Sequence, residues 1–208
     1  KAKPTLVVNG RLVSGLGDYA STCDRPAEFP PQKGDWEGVP TTNESYGYNQ
    51  NDKSHKPPAH FIQLLAKSAA RGGNQLMNIG PTGLGRIDEA DAKILRGTGA
   101  RWRVYGDSIR GTVRTPLAVQ AWGESTRKGN LLYLHVFEWP RDGRLVVGGL
   151  TTTVRKAWLM NDPSAALKTD RKDSDVFIAV PASAPDAADS VVVLECEGEP
   201  AANPIGCS

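Results

Sequence analysis

The side chains best suited to chemistry gather in the first quarter of the chain. Asp24 and Glu28 share a stretch rich in Gly, Pro, Asp and Asn that follows a short β-branched run at residues 5–8. A carboxyl group can protonate a leaving group only if it is neutral beforehand, which needs a low-dielectric wall or a second carboxylate nearby. Phe29 can form such a wall for Glu28, whereas Arg25 beside Asp24 favours the charged form. Arg11 carries a guanidinium that stays charged and can donate to two hydroxyl groups at once. Trp36 and Tyr46 stand among the polar residues of the same stretch, and an indole offers an apolar face with one N–H donor. Each has a plain structural reading beside the chemical one: a solvated loop carboxylate for Asp24 or Glu28, a rim salt bridge for Arg11, and packing for Trp36 and Tyr46.

Other chemistries find less support. His55, His60 and His135 have no metal-ligand spacing, and Cys23, Cys196 and Cys207 are too few for a disulfide framework and wrongly spaced for zinc. Cys196 and Cys207 are near enough to bridge a short tail. No metal and no cofactor is expected. A hydrophobic share of 39% with 23% charged residues describes a globular protein able to build a core. The net charge of +2, without a run of like charges, argues against a nucleic-acid partner. No apolar run approaches the roughly 20 residues of a membrane span, and none follows the Lys1-Ala2-Lys3 start, so a signal for a secreted or periplasmic setting would lie upstream.

The elements that would position these residues change character part-way. Residues 5–8 read as a buried strand ended by Asn9-Gly10, and the next fifty or so are too long for an idle connection. Pro57 and Pro58 suit a first helical turn, Phe61, Leu65 and Ala69 recur on one face, and Gly72 ends the helix. Residues 75–79 read as a second strand, and 88–105 as a second helix with Asp88 as N-cap, Asp91 in a capping-box-like contact and Gly106 at the end. Gly97 and Gly99 cost that helix about 1 kcal/mol each against Ala; small residues there would let it lie close to a sheet. After Thr112 the period changes to alternation, at 117–122, 131–139, 145–150, 154–160, 176–180 and 191–196. The chain therefore reads as α/β plus all-β, with parallel βα units over 1–111 and an antiparallel sandwich over 112–208. The first part supplies at most three of the strands that a closed parallel barrel needs, so it reads as a piece of a larger or split protein.

Four blocks carry a family resemblance: Asn9-Gly10-Arg11 with Gly17-Asp18-Tyr19; Trp36-Glu37 through Ser45-Tyr46-Gly47-Tyr48; Gly72-Gly73-Asn74-Gln75-Leu76-Met77-Asn78-Ile79-Gly80-Pro81; and Ser108-Ile109-Arg110-Gly111-Thr112. In order and spacing they resemble the α-L-fucosidases of glycoside hydrolase family 29. The resemblance implies the C-terminal portion of a (β/α)8 barrel followed by a β-sandwich. It also implies retaining, exo-acting removal of terminal α-L-fucosyl groups by two carboxyl groups about 5–5.5 Å apart. The family's nucleophile is an Asp shortly after a Trp on an earlier strand; Gly34-Asp35-Trp36 has the order reversed, so the nucleophile is expected outside this chain. The acid/base falls within residues 21–29, with Glu28 the first choice because the family uses Glu, and Asp24 the second. Arg11 and Tyr46 match sugar-binding positions, Trp36 is a candidate for the mouth of the site or for the core, and Asn74 and Asn78 are expected to fasten strand ends. The implied partners are a fucosylated glycan and an N-terminal barrel half; the rival reading is an inactive carbohydrate-binding protein on the same fold.

Overall fold

The structure, a computed structural model, describes residues 3, 5–12, 16–24, 26, 28–29 and 33–203. Its contacts fall into two units, Lys1–Thr98 and Gly99–Ser208, divided within the second helix.

The first unit holds three short parallel strands in the order β1 (Ala20–Asp24), β2 (Trp36–Val39) and β3 (Asn74–Gln75), with α1 (Pro58–Ala70) connecting β2 to β3. Isolated parallel bridges, Asn9 with Tyr19 and Thr41 with Asn78, extend the sheet beyond those strands. The long stretch expected to be loop thus contains β1 and β2, whose few, mostly polar residues carry no legible alternation. In α1, Pro58 fits the first turn, where no helical N–H bond is lost, and Phe61, Leu64 and Ser68 form the buried face. Trp36 is 1% exposed and packs edge-on against Phe29 at 5.4 Å, with Leu64 completing the cluster. Full burial of Phe29 and Leu64 is worth about 1.5–3 kcal/mol each.

The glycine pair after α1 has two separate causes. Gly72 takes the left-handed conformation (φ 73°) at the helix end, its N–H reaching Ala69 O at 3.0 Å. A Cβ on Gly73 would come within 2.1 Å of the Trp36 indole. The second helix, α2 (Glu89–Tyr105), begins as expected with Asp88, whose Oδ2 accepts from Ala90 N at 3.3 Å. Asp91 makes no capping box; its Oδ2 accepts from Gly80 N at 2.9 Å and so ties the exit of β3 to the helix. Gly97 is small because of a helix rather than a sheet: its Cβ would lie 2.9 Å from Pro58 Cβ.

The second unit is antiparallel throughout. Its larger sheet runs β4 (Val113–Arg114), β5 (Gly123–Lys128), β6 (Leu131–Val136), β12 (Ser190–Cys196), β8 (Val154–Leu159) and β9 (Asp162–Ala166). The smaller runs β10 (Thr169–Lys172), β11 (Asp175–Ala179) and β7 (Arg144–Val147). Alternation sends Leu132, Leu134, Val192 and Leu194 of the larger sheet, with Leu145, Val147, Val176 and Ile178 of the smaller, into one apolar cluster. Tyr105 at the end of α2 packs with Tyr133, Val191 and Val193, whose side chains leave the opposite face of β6 and β12. Residues 117–122, expected as a strand, form none; the ladder uses β5, whose buried Ser125 and Thr126 are satisfied by Thr115 Oγ1 and Ser108 O, each at 2.5 Å. Cys196 is buried, which pushes its thiol up to about 11; Cys207, its candidate partner, lies outside the described residues.

Within this unit lies a buried charge network. Arg101 of α2 reaches Asp186 (2.7 Å) and Asp189 (3.1 Å), and Asp189 Oδ2 also meets His135 Nδ1 at 2.9 Å. Burial pushes the Asp189 carboxyl up, but the charges and hydrogen bonds of His135 and Arg101 outweigh it and hold it below the usual range.

Candidate active site

The parallel strands all point the same way, so the residues just past their C-terminal ends share one rim. Arg11 follows the bridge residue Asn9, whose Oδ1 accepts the Arg11 N–H at 2.8 Å. Asp24 is the last residue of β1. The guanidinium spans the gap: Nη1 meets Asp24 Oδ1 at 2.6 Å, Nε donates to Ser21 Oγ at 3.0 Å, and Nη2 donates to Thr22 O. Both partners are close to half-exposed, at 44% and 49%. The hydrogen bond to Asp24 raises the Arg11 pKa against the opposing effect of burial, and the charges of Asp24, Tyr46 and Glu37 add to it. Arg11, Asp24, Tyr46 and Glu37 therefore lie within one electrostatic neighbourhood.

Tyr46 reaches this rim on the loop after β2 and carries an unusual backbone. Its φ of 63° is left-handed, which costs a non-glycine residue on the order of 1 kcal/mol or more and is found where surrounding contacts over-determine the chain. Those contacts are visible. Asn78 Nδ2 donates to the Tyr46 carbonyl and to Thr41 Oγ1 at 3.1 Å, while Asn43 Nδ2 donates to Gly47 O at 3.0 Å. Gly80 packs so closely beneath that a Cβ would lie 2.5 Å from the Gly47 carbonyl carbon. Asn78 thus fastens a strand end, as expected, and in doing so also fixes the loop that bears Tyr46.

The remaining candidates face elsewhere. Glu28 pairs with Lys67 Nζ at 2.6 Å and with Arg71 at 3.6 Å, at the C-terminal end of α1. Burial raises its pKa, but the Lys67 hydrogen bond, the Phe29 N–H and the charges of Lys67 and Arg71 hold it below the usual range. A helix that precedes a parallel strand ends near the strand's start, so Glu28 stands at the other end of the sheet from Arg11. Trp36 points to the helix layer, with Nε1 donating to Arg71 O at 3.2 Å. Glu37, its neighbour on β2, therefore faces the opposite side, where Asn9 Nδ2 donates to its Oε1 at 2.9 Å. Glu37 was legible only as half of a Trp-Glu pair; that a buried Trp sends the next side chain to the inner face was the signal available.

Comparison with known proteins identifies the family. The family model described as alpha-L-fucosidase matches residues 1–107. The chain belongs to the α-L-fucosidase family, glycoside hydrolase family 29. An α-L-fucosidase of Branchiostoma floridae is 34% identical over 167 residues, covering 73% of this chain. The chain spans 37% of that fucosidase's length. Among solved structures, α-L-fucosidase isoenzyme 1 of Paenibacillus thiaminolyticus is similar at a TM-score of 0.78 and 30% identity, over 87% of this chain and 45% of that one. A family 29 fucosidase of Bacteroides thetaiotaomicron, solved as a trapped covalent intermediate with 2-fluoro-fucosyl fluoride, is similar at a TM-score of 0.82 and 25% identity, over 93% and 49%. The similarity to fucosidase structures thus extends beyond the matched family region into the antiparallel unit, and the described residues are β-rich with two α-helices.

Proposed function

We propose that the protein is a retaining exo-α-L-fucosidase whose nucleophile comes from an N-terminal portion outside this chain. In this reading the parallel unit, residues 1–111, closes a (β/α)8 barrel and residues 112–208 form a β-sandwich. The observation that carries it is the Arg11–Asp24 pair at the C-terminal ends of parallel strands, where a barrel of this kind does its chemistry. Leu6, Val7, Leu12 and Leu16, 61–77% exposed, suit an apolar surface that the rest of a barrel would cover.

Asp24 is the better acid/base and Glu28 the better structural carboxylate. Glu28 is held charged by two cations beside α1, the opposite of what a proton donor needs. Asp24 stands at the strand end, and its ion-pair partner among the described residues, Arg11, is also the group suited to sugar hydroxyls. A bound fucosyl group that draws the guanidinium to its own oxygens would free Asp24 to face the leaving oxygen. Asp24 would protonate the leaving oxygen while the nucleophile attacks, then take a proton from water as it displaces the enzyme. Tyr46 would offer an aromatic face to the apolar side of the sugar. The covalent intermediate trapped in the Bacteroides relative supports the two-step course.

The rival, a carbohydrate-binding protein without turnover, draws on the same Arg11–Asp24 pair, since a guanidinium and a carboxylate can hold sugar hydroxyls without any reaction. Hydrolysis of an aryl α-L-fucoside decides between them. The chain alone should be inactive, and its co-expression with the N-terminal portion should restore turnover. A joined protein that binds fucose without hydrolysing the fucoside would favour the binder.

A further inference from the structure

Asp91 stands in the first turn of α2, where a carboxylate gains from the helix dipole even in open water, yet it is only 1% exposed. A buried carboxylate costs free energy unless its oxygens are answered, so what it holds accounts for its burial. Oδ2 accepts the Gly80 N–H at 2.9 Å, and Oδ1 faces His55 Nε2 at 3.4 Å. Gly80 follows Asn78 beyond β3, and His55 belongs to the segment that leads into α1. One side chain of α2 thus ties together two segments that are distant in sequence.

The loop that bears Tyr46 is strapped to both of those segments. Thr42 N donates to Asn78 O at 3.2 Å on one side, and Thr42 O accepts from Lys56 N at 3.1 Å on the other. Further along, Asn78 Nδ2 donates to the Tyr46 carbonyl, and a Cβ on Gly80 would lie 2.5 Å from both the Gly47 carbonyl carbon and Tyr48 N. Backbone meets backbone there with no flexible side chain between, so a displacement of Gly80 passes directly to residues 46–48. Tyr46 has a left-handed φ of 63°, a conformation that persists only where the surroundings hold it. All of these residues lie within the first unit.

We propose that Asp91 is a positioning residue for Tyr46: by holding Gly80 and His55 it fixes both supports of the loop and so sets the place of the tyrosine ring against the sugar. The proposal rests on the fucosidase reading, which puts Tyr46 beside the fucosyl group. Asp91 acts through Gly80 and Tyr46, not on the substrate.

A double-mutant cycle in the joined enzyme tests this, with KM and kcat for an aryl α-L-fucoside as the readouts. Asp91→Ala should raise KM about tenfold and change kcat by less than about threefold. Asp91→Asn, which keeps an oxygen for the Gly80 N–H, should bring KM back to within about twofold of wild type. In a Tyr46→Ala background Asp91→Ala should add less than about twofold, because the ring it positions is already gone. An unchanged KM in Asp91→Ala, or an equal rise with and without Tyr46, would overturn the proposal. Gly80→Ala serves if Asp91→Ala does not fold: it should raise KM only while Tyr46 is present, and an equal rise in both backgrounds would overturn the proposal too. Amide hydrogen exchange of the joined protein needs no turnover. Thr42 and Lys56 should exchange about tenfold faster in Asp91→Ala, measured against Leu64 of α1. Faster exchange at Gly80 alone would show that Asp91 holds only its own partner and would overturn the proposal. Faster exchange at Thr42 and Lys56, in a joined protein whose wild type hydrolyses no fucoside, would refute the fucosidase reading and leave the hold of Asp91 on the loop standing.

Discussion

Replacing Asp189 by Asn should destabilise the antiparallel unit more than any exposed ion pair could. Asp189 Oδ2 answers both Arg101 Nη2 at 3.1 Å and His135 Nδ1 at 2.9 Å, and the side chains of all three are under 10% exposed. Removing one member of a buried pair leaves the other charge unbalanced, at a cost of about 3–5 kcal/mol. Arg101 keeps Asp186 at 2.7 Å, so the lower end, about 3 kcal/mol, applies. For a chain of this length that corresponds to a melting temperature lower by about 6–12 °C. The sign with pH follows from the lowered Asp189 pKa. A carboxyl whose folded value lies below its unfolded one, about 3.9, adds stability that is complete above the unfolded value and disappears as pH falls through the folded one. Thermal melts from neutral pH downwards should therefore show the wild type losing its advantage over Asp189→Asn on acidification. A neutral-pH difference below about 2 °C, or one that does not shrink with acid, would refute the reading of Asp189 as the carboxylate that balances Arg101 and His135.

Glycine substitutions give a paired test of packing: Gly99→Ala, with nothing within 4 Å of the new Cβ, should stabilise by about 1 kcal/mol, whereas Gly97→Ala, 2.9 Å from Pro58, should gain less or lose. Urea denaturation reads both, and equal effects would contradict the close approach of α2 to Pro58. Gly73→Ala should cost at least about 1–3 kcal/mol, since its Cβ would fall 2.1 Å from the Trp36 indole, and a shift in tryptophan fluorescence should accompany the loss. Asn78→Ala frees the Tyr46 carbonyl, so in the joined enzyme KM for a fucoside should rise about tenfold with the fold retained; an unchanged KM would remove Asn78 from the positioning of Tyr46.

What the sequence disclosed follows from how each element is held. Helix α1 was legible from its apolar period, although its buried side is Phe61, Leu64 and Ser68 rather than Phe61, Leu65 and Ala69, and β6, β8, β11 and β12 were legible from runs of β-branched and apolar residues that pack into the clusters of the antiparallel unit. Strands β1 and β2 were hidden because each spans only four or five residues, with glycine, polar groups and one Trp in place of alternation. Strand β5 was hidden for a different reason: Ser125 and Thr126 are buried through side-chain hydrogen bonds to residues distant in sequence, which no local pattern reveals. In the candidate site, motif order singled out Arg11 and Tyr46, yet the choice between Asp24 and Glu28 depended on partners that only folding supplies. Phe29 does adjoin Glu28, but as part of a cluster that delivers Glu28 to Lys67 and Arg71 rather than to an apolar wall.

The account rests most heavily on Asp24 as the acid/base, and chemical rescue of the joined enzyme tests it directly. Loss of a general acid matters least when the leaving group departs unaided, and azide can then replace the activated water. Asp24→Ala should keep far more activity on a fucoside of an acidic phenol than on a fucosylated sugar, and azide should yield fucosyl azide of retained configuration, while Glu28→Ala does neither. Rescue by azide in Glu28→Ala, with Asp24→Ala folded but unresponsive, would contradict the account.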